Sequence, residues 1–250
     1  MKSRPARDPA DANAVAHVFV DALDDRYEVT GDDGHHLQRV RRLAPGETLT
    51  AADGSGAWRS YVVIEIGTGC LTLEAAGAVQ SAWEPRVGVA LAVALTKGGL
   101  DDVVAAVTEL GVGRVIPVRT ARAVVRWDDD RAARAVARLR VVAREAAMQS
   151  RRARVPAVDE VADLAALVDR PGLVVAARDG VSAWELPAPA ARAPGWTVLV
   201  GPEGGLAPEE LDALGAAPRL RLGAHVLRAA TAPVAAVAVL TAEAWRLGSE

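Results

Sequence analysis

Two loops near the carboxyl end of the chain combine residue types that suit a bound ligand. Residues 201–205 read Gly-Pro-Glu-Gly-Gly, and residues 222–228 read Leu-Gly-Ala-His-Val-Leu-Arg. Glycines leave room for a ligand against the main chain and tolerate positive φ, and the proline stiffens the turn. Neither loop contains the glycine-lysine phosphate motif or the three-glycine dinucleotide motif. Because Glu203 places a negative charge in the first loop, the sequence favours a ligand that is neutral or cationic at that point.

Short apolar strands and following helices must hold these loops in place. A strand over residues 196–200 precedes the first loop, and a helix that begins at Pro208 and stops at Gly215 follows it. A strand over residues 219–222 precedes the second loop, and Thr231 is placed to cap a final helix to about residue 247. Each loop is therefore predicted to join a strand to a helix.

The same alternation of strands and helices extends upstream to residue 87. The predicted elements are strands 87–95, 114–118 and 173–177 and helices 100–110 and 128–150. In the longer helix the apolar residues recur at a helical period and arginines occupy the opposite face. The pattern predicts an α/β domain over residues 87–250 with a mainly parallel sheet.

A different pattern precedes this domain. Strands over residues 47–52 and 57–64 flank an Asp-Gly-Ser-Gly turn, which is typical of a β-hairpin. We therefore predict a small β-rich domain over residues 1–76, followed by a linker over residues 77–86.

Composition limits the cellular setting and the chemistry. The chain has 250 residues, a net charge of −3 and one cysteine, Cys70. A single cysteine excludes an intrachain disulfide and a cysteine metal cluster. The first residues lack the apolar segment of a signal peptide, and no apolar run has the length of a membrane span, so the sequence predicts a cytoplasmic protein.

Arginines are grouped, although the net charge does not indicate nucleic-acid binding. The groups are Arg39, Arg41 and Arg42; Arg119, Arg122 and Arg126; and Arg151, Arg152 and Arg154. The planar guanidinium suits phosphate groups and stacks on bases. High genomic GC content is an alternative reason for the excess of arginine over lysine, but it does not account for the grouping.

With these loops, the chain resembles the SPOUT class of RNA methyltransferases, and within it the 16S ribosomal RNA uridine-N3 methyltransferase (RsmE) family. The matching loop motifs are GPEGG and LG-x-x-VLR. Upstream stretches resemble the same family: His-x-x-Arg-Val over residues 36–46, Thr-Glu-Leu-Gly-Val over residues 108–117, and Glu-Ala-x-x-Gln-Ser-x-Arg over residues 145–156. The resemblance covers nearly the whole chain from about residue 17.

The resemblance implies an α/β fold with a C-terminal trefoil knot and an N-terminal PUA-like β-barrel that binds RNA. It implies methyl transfer from S-adenosylmethionine to N3 of a uridine in 16S ribosomal RNA, either free or in the small ribosomal subunit. The donor is already activated, so no metal is predicted. The family also implies a homodimer that acts away from membranes.

The resemblance also implies roles for individual residues. We expect Arg228 to orient the uracil or the donor carboxylate, and Glu203 to accept hydrogen bonds from the ligand or to act as a base. The candidate cofactor-binding residues are Leu199, Val200, Gly201, Pro202, Glu203, Gly204, Gly205, Leu222, Gly223, Val226, Leu227 and Arg228. The candidate RNA-binding residues are Arg39, Arg41, Arg42, Arg122 and Arg152.

Other interpretations of the same residues stay open. The glycines could only form tight turns, Glu203 could cap a helix, and Arg228 could be a structural ion-pair partner. Where the family usually has a polar pair after the final arginine, this chain has Ala229 and Ala230. An RNA-binding protein with weak or lost catalysis is therefore one alternative function, and a ribose 2′-O methyltransferase is another.

Overall fold

The computed structural model describes residues 8–11, 13–39, 43–189 and 195–248. Its contacts divide the chain into two compact units. Unit 1 comprises Met1–Trp83 and Ala147–Val155, and unit 2 comprises Glu84–Ala146 and Pro156–Glu250. Unit 1 is therefore discontinuous in sequence.

Unit 1 contains a mixed six-stranded sheet, which confirms the predicted β-rich character of this region. Its strands are β1 Ala16–Phe19, β2 Arg26–Val29, β3 Thr48–Ala52, β4 Ala57–Gly67, β5 Cys70–Ala75 and β6 Gln80–Ser81. They lie in the order β1-β3-β4-β5-β2, and β6 pairs with β4. Only β1 and β3 run parallel among these pairs. Helix α1, Gly31–Arg39, contributes the buried Leu37 to the same core.

The β3–β4 hairpin of unit 1 binds the segment Ala147–Val155. The N–H of Gly56 donates to the carbonyl of Ala153 at 3.2 Å, and the N–H of Val155 donates to the carbonyl of Gly54 at 3.0 Å. Ala153 packs in a small buried cluster with Trp58. These contacts explain why a segment so distant in sequence belongs to unit 1.

His17, on β1, also contacts this segment. Its Nε2 lies 3.2 Å from the carbonyl of Arg152, and its Nδ1 lies 2.7 Å from the hydroxyl of Thr50. Because a carbonyl can only accept, Nε2 carries the proton in the neutral ring and Nδ1 accepts from Thr50. Burial lowers the pKa of His17 from 6.5 to about 4.

Acid is expected to destabilise unit 1 through His17. The unfolded chain binds a proton near pH 6.5 and the folded protein only near pH 4, so stability is present above pH 6.5 and is lost as the pH falls towards 4. Between pH 7 and pH 5 this one group should lower the free energy of unfolding by about 2 kcal/mol. Urea unfolding at both pH values, compared between wild type and His17→Gln, measures the effect. An equal pH dependence in the two proteins would contradict it.

Unit 2 is built on a sheet whose strand pairs are all parallel, as the alternating sequence pattern predicts. Its strands are β7 Gly88–Ala94, β8 Arg114–Arg119, β9 Ala157–Val158, β10 Ala162–Asp163, β11 Leu173–Val181, β12 Gly195–Val200 and β13 Arg219–Leu220. They lie in the order β10-β8-β7-β12-β11-β13, and β9 pairs with β8. The helices are α2 Leu100–Glu109, α3 Asp129–Gln149, which continues into unit 1, α4 Pro208–Ala213 and α5 Thr231–Gly248.

Apolar helix faces cover this sheet. Val136, Leu139 and Ala143 on the apolar face of α3 are buried, and α2 and α5 pack with them over β7 and β12 in the main core. β12 is buried at every position, as expected for a central strand covered on both faces. At its first residue, Gly195 has φ +135°, and a Cβ there would lie 1.9 Å from the carbonyl oxygen of Gly88 on β7. The close pairing of these two central strands therefore requires glycine at position 195.

Candidate functional site

The carboxyl ends of three neighbouring strands enclose a cavity of about 400 Å³ in unit 2. The strands are β12, β11 and β13, which are adjacent and parallel. We call this space the strand-end cavity. In open parallel sheets, ligands bind beyond the carboxyl ends of the strands. Its volume lies within the range of about 300–1,000 Å³ typical of small-molecule sites.

The first loop, residues 201–205, forms one wall. The N–H of Gly205 donates to the carbonyl of Pro202 at 2.8 Å, which closes a tight turn. Gly205 has φ +68°, and a Cβ at this position would have no atom within 4 Å. The turn thus requires a residue that accepts a left-handed backbone, and the space beside that residue is open.

The second loop, residues 222–228, also lines the cavity and leads into α5. The carbonyl of Arg228 accepts the N–H groups of Thr231 and Ala232, both at 2.9 Å. These bonds fix the end of the loop at the start of the helix. The side chain of Arg228 is exposed, and Leu227 and Ala229 on either side of it line the strand-end cavity.

The structure brings most of the predicted cofactor residues together around this cavity. The predicted residues that line it are Val200, Gly201, Pro202, Glu203, Gly205, Leu222, Gly223, Val226 and Leu227. Leu199 does not line the cavity, because its side chain is completely buried in the core beneath the sheet. Gly204 and Arg228 lie beside lining residues without lining the cavity themselves.

Sequence reasoning missed the contribution of β11. Residues 175–179 of this strand line the cavity together with Arg219 and His225. β11 carries no glycine motif, so the composition of the segment gives no signal. Only the sheet topology could have predicted this wall, because parallel strands present their carboxyl ends at one edge of the sheet.

Charged side chains of both signs line the cavity. Asp179 and Arg219 form an ion pair at 2.5 Å. Glu203 and Arg178 are exposed, and neither has an ion-pair or hydrogen-bond partner for its side chain within the described parts of the chain. The cavity therefore presents one uncompensated anion and one uncompensated cation to a ligand.

Two of the alternative interpretations can be compared with this geometry. The carboxylate that caps α4 is that of Glu210, whose Oε2 accepts the N–H of Ala207 at 2.8 Å. Glu203 makes no such bond. The side chain of Arg228 likewise forms no ion pair with any described residue. Among the described residues, neither Glu203 nor Arg228 thus makes the side-chain contact that these two alternatives require.

The candidate RNA-binding arginines fall in different parts of the chain. Arg122 lies in the β8 loop, which we define as residues 120–128, and its Nη1 donates to the carbonyl of Gly204 at 3.2 Å. Arg152 lies in unit 1, where its carbonyl binds His17. Arg41 and Arg42, and the side chain of Arg39, are outside the described residues.

No helix among the described residues combines the length and the apolar character needed to cross a lipid bilayer. No three of their His, Cys, Asp and Glu side chains are grouped so as to hold a metal ion.

Two protein-family models match the chain. A model described as an RNA methyltransferase domain matches residues 84–241, and one described as an RNA methyltransferase PUA domain matches residues 29–74. The first of these matches covers more than half of the chain. The strand-end cavity and both loops lie within it.

Individual relatives agree with the family models. The ribosomal RNA small subunit methyltransferase E of Mycobacterium tuberculosis is 39% identical over 91% of this chain and 93% of its own length. The Bacillus subtilis protein of the same name is 29% identical over 86% of this chain and 89% of its own length. A crystal structure of ribosomal RNA small subunit methyltransferase E from Neisseria gonorrhoeae, bound to S-adenosylmethionine, has a TM-score of 0.77 at 24% identity, covering 89% of this chain and 95% of that one.

These matches extend over both units and include the loops on which the sequence motifs were recognised. They confirm the RsmE resemblance and the fold class predicted from the sequence, an α/β SPOUT-type domain with a parallel sheet after an N-terminal PUA-like domain. The chain belongs to the ribosomal RNA small subunit methyltransferase E family of RNA methyltransferases.

Proposed function

We propose that the protein transfers a methyl group from S-adenosylmethionine to N3 of a uridine in 16S ribosomal RNA. The observation that carries the proposal is the strand-end cavity, which the two loops of the family motifs form together. A cavity of about 400 Å³ beyond parallel strand ends suits a nucleoside-sized cofactor. The relative from Neisseria gonorrhoeae, which shares the fold, binds S-adenosylmethionine.

The residues of the cavity fit this cofactor chemically. The space beside Gly205 leaves the main chain accessible to an adenosine group. Glu203 supplies a negative charge for a ligand with a sulfonium and an ammonium group, and Arg178 supplies a positive charge for its carboxylate. When bound, S-adenosylmethionine supplies an activated methyl group, so the protein must mainly align the reacting atoms.

The acceptor nitrogen imposes a second requirement. Uridine N3 is a poor nucleophile while it carries its proton, so the proton must pass to a base, for which the exposed carboxylate of Glu203 is our candidate, before N3 bonds to the methyl carbon and the carbon–sulfur bond breaks. A cation close to the uracil would stabilise the N3 anion. Arg228 is exposed beside the cavity and forms no ion pair among the described residues, so we assign it this role.

RNA binding is assigned to both parts of the chain. We propose that the PUA-like domain, residues 1–76, binds 16S ribosomal RNA or the small ribosomal subunit, and that residues 87–250 form the catalytic domain with its trefoil knot. Arg39, Arg41, Arg42, Arg122 and Arg152 are the proposed phosphate contacts. The proposed substrate also locates the protein in the cytoplasm.

Label transfer tests the proposed activity. Small ribosomal subunits and free 16S ribosomal RNA would each be incubated with the protein and methyl-labelled S-adenosylmethionine, and the label would be mapped by nucleoside mass spectrometry. We expect 3-methyluridine. Label on a ribose oxygen would replace the N3 assignment with 2′-O methylation.

A second candidate function follows from Ala229. This residue lines the strand-end cavity where the family usually has a polar side chain, so the cavity lacks one polar group. An RNA-binding protein with weak or lost catalysis would bind the cofactor and RNA without transferring label. The same experiment therefore separates the two functions.

We further propose that the protein acts as a homodimer through the surface around Trp184. This side chain is 72% exposed and lines a second cavity with residues 221–224 and part of α5. Large exposed aromatic residues are enriched at protein–protein interfaces. Leu222 and Gly223 line both cavities, so a partner bound there would lie next to the proposed cofactor.

Substitution of Trp184 by glutamate is expected to produce a monomer. A charge placed at the centre of an apolar interface should weaken association by at least about a hundredfold. Light scattering and sedimentation equilibrium measure the change. Val141→Glu provides the control, because Val141 is a 56% exposed apolar residue on α3 that does not line this cavity. A monomeric wild type, or a W184E variant that still dimerises, would contradict the proposed surface.

A further inference from the structure

Glu210, in the first turn of α4, joins two segments of unit 2 that are far apart in sequence. Its Oε2 accepts the N–H of Ala207 at 2.8 Å, at the start of the helix. Its Oε1 accepts the N–H of Ala121, in the β8 loop, at 2.7 Å. Hydrogen bonds to an ionised carboxylate are about twice as strong as those between neutral groups. The half-buried carboxylate therefore fixes the β8 loop against α4.

Arg122 makes a second connection between the same segments. Its Nη1 donates to the carbonyl of Gly204 at 3.2 Å. Glu203 and Gly205, on either side of this carbonyl, line the strand-end cavity. The β8 loop is thus attached both to the wall of the cavity and to the helix that follows the wall. A displacement of the β8 loop relative to the first loop would break the Arg122–Gly204 hydrogen bond.

The β8 loop carries positive charge on its exposed side. Arg122 and Arg126 are both exposed, and the side chain of Arg126 has no partner among the described residues. Under the proposed function Arg122 contacts RNA. The bonds at Ala121 and Gly204 therefore connect an RNA-binding segment to the cofactor cavity.

We infer that Glu210 is a positioning residue that couples occupancy of the strand-end cavity to RNA binding by the β8 loop. This inference rests on the proposed function. A ligand that orders the first loop places the β8 loop for RNA through the bonds of Glu210 and Arg122. Because coupling between two binding sites is reciprocal, bound RNA tightens cofactor binding by the same factor.

Two substitutions act on the Glu210–Ala121 connection from opposite sides. In Glu210→Gln one of the two carboxylate oxygens becomes an NH₂ group, which donates and cannot accept, so one of the two N–H groups loses its acceptor and the bridge between Ala121 and Ala207 is broken. In Ala121→Pro the donor itself is removed. Ala121 is the second residue of a turn that the N–H of Ala123 closes on the carbonyl of Thr120 at 3.2 Å, and proline favours this position.

The control is Glu209→Gln. Glu209 is the exposed neighbour of Glu210 on the same helix and makes no hydrogen bond or ion pair with a described residue. Its substitution removes the same formal charge without touching the β8 loop. Thermal unfolding of all variants shows whether each of them is folded.

The experiment measures the affinity for 16S ribosomal RNA by filter binding, with and without saturating S-adenosylhomocysteine, which cannot donate a methyl group. We expect wild type and E209Q to bind RNA about tenfold more tightly with S-adenosylhomocysteine present. In E210Q and A121P we expect this ratio to fall below about twofold, whatever their RNA affinity when the compound is absent. A loss of stability alone would not alter the ratio in this way.

The outcomes distinguish failure of the coupling from failure of the proposed function. If wild type binds both molecules but the ratio is one, or if the folded variants keep the wild-type ratio, the inference is overturned and the proposed function stands. If wild type binds neither S-adenosylhomocysteine nor RNA, the proposed function itself fails. If one variant does not fold, the other decides, because each of them breaks the bridge that runs through Glu210.

Discussion

Substitution of Gly205 by valine is expected to weaken binding of S-adenosylmethionine at least about a hundredfold. Gly205 has φ +68°, a conformation that a β-branched residue adopts only with strain of about 1–3 kcal/mol. The added side chain also enters the open space beside the loop, where Gly205 lines the cavity. The strained loop and the filled space both oppose binding of the cofactor, so both raise its dissociation constant. Isothermal titration calorimetry measures the change.

Gly215→Val is the matched control for this prediction. Gly215 has φ +55°, and a Cβ at this position would also have no atom within 4 Å. It lies just after the end of α4 and does not line the strand-end cavity. The variant should suffer similar backbone strain and keep the wild-type affinity. Equal loss of affinity in both variants would mean that Gly205 acts through stability alone. Unchanged affinity in Gly205→Val would remove the first loop from the cofactor site.

Substitution of Arg228 by alanine is expected to lower the rate of methyl transfer about a hundredfold or more, with the affinity for S-adenosylmethionine changed only slightly. Arg228 does not line the strand-end cavity, so the cofactor should still bind. A preorganised cation that stabilises developing negative charge on the acceptor acts mainly in the transition state, and its loss therefore lowers kcat. Single-turnover transfer to small ribosomal subunits measures the rate.

Two further variants define what the arginine does. Arg228→Lys keeps the charge without the planar fork, and we expect partial recovery of the rate. Arg134→Ala removes an exposed arginine on α3 and should leave transfer unchanged. A rate near wild type in Arg228→Ala would contradict the proposed stabilisation of the N3 anion.

Long buried elements could be predicted from the sequence, whereas short pairings could not. β12 is apolar except for Thr197, and α3 repeats its apolar residues at a helical period, so both follow from local pattern. β1 and β2 have only four residues each, and β9 and β10 have two. Such short strands form because a partner strand completes their hydrogen bonds. The partner lies elsewhere in the sequence, so the residues of the short strand alone do not predict it.

In the candidate site too, one part could be predicted from local sequence and another part could not. Its two loops are local motifs, and they could be placed together because each follows a strand of one parallel sheet. The wall contributed by Arg178 and Asp179 carries no motif. The bond between Glu210 and Ala121 spans 89 positions, so only the folded chain reveals it. Leu199 lies next to the first loop with a completely buried side chain, so in the proposed site its contribution comes from its main chain.

The discontinuity of unit 1 has a consequence for the order of events during translation. Residues up to Trp83 leave the ribosome before Ala147–Val155 has been synthesised, so the early chain lacks the carbonyl that accepts from His17 and the partners of Gly54 and Gly56. A buried polar group without its partner costs about 1–3 kcal/mol. The nascent amino-terminal region must therefore wait for more than sixty further residues before its last hydrogen bonds can close. A polypeptide truncated at residue 83 should for the same reason be less stable than the corresponding part of the intact protein.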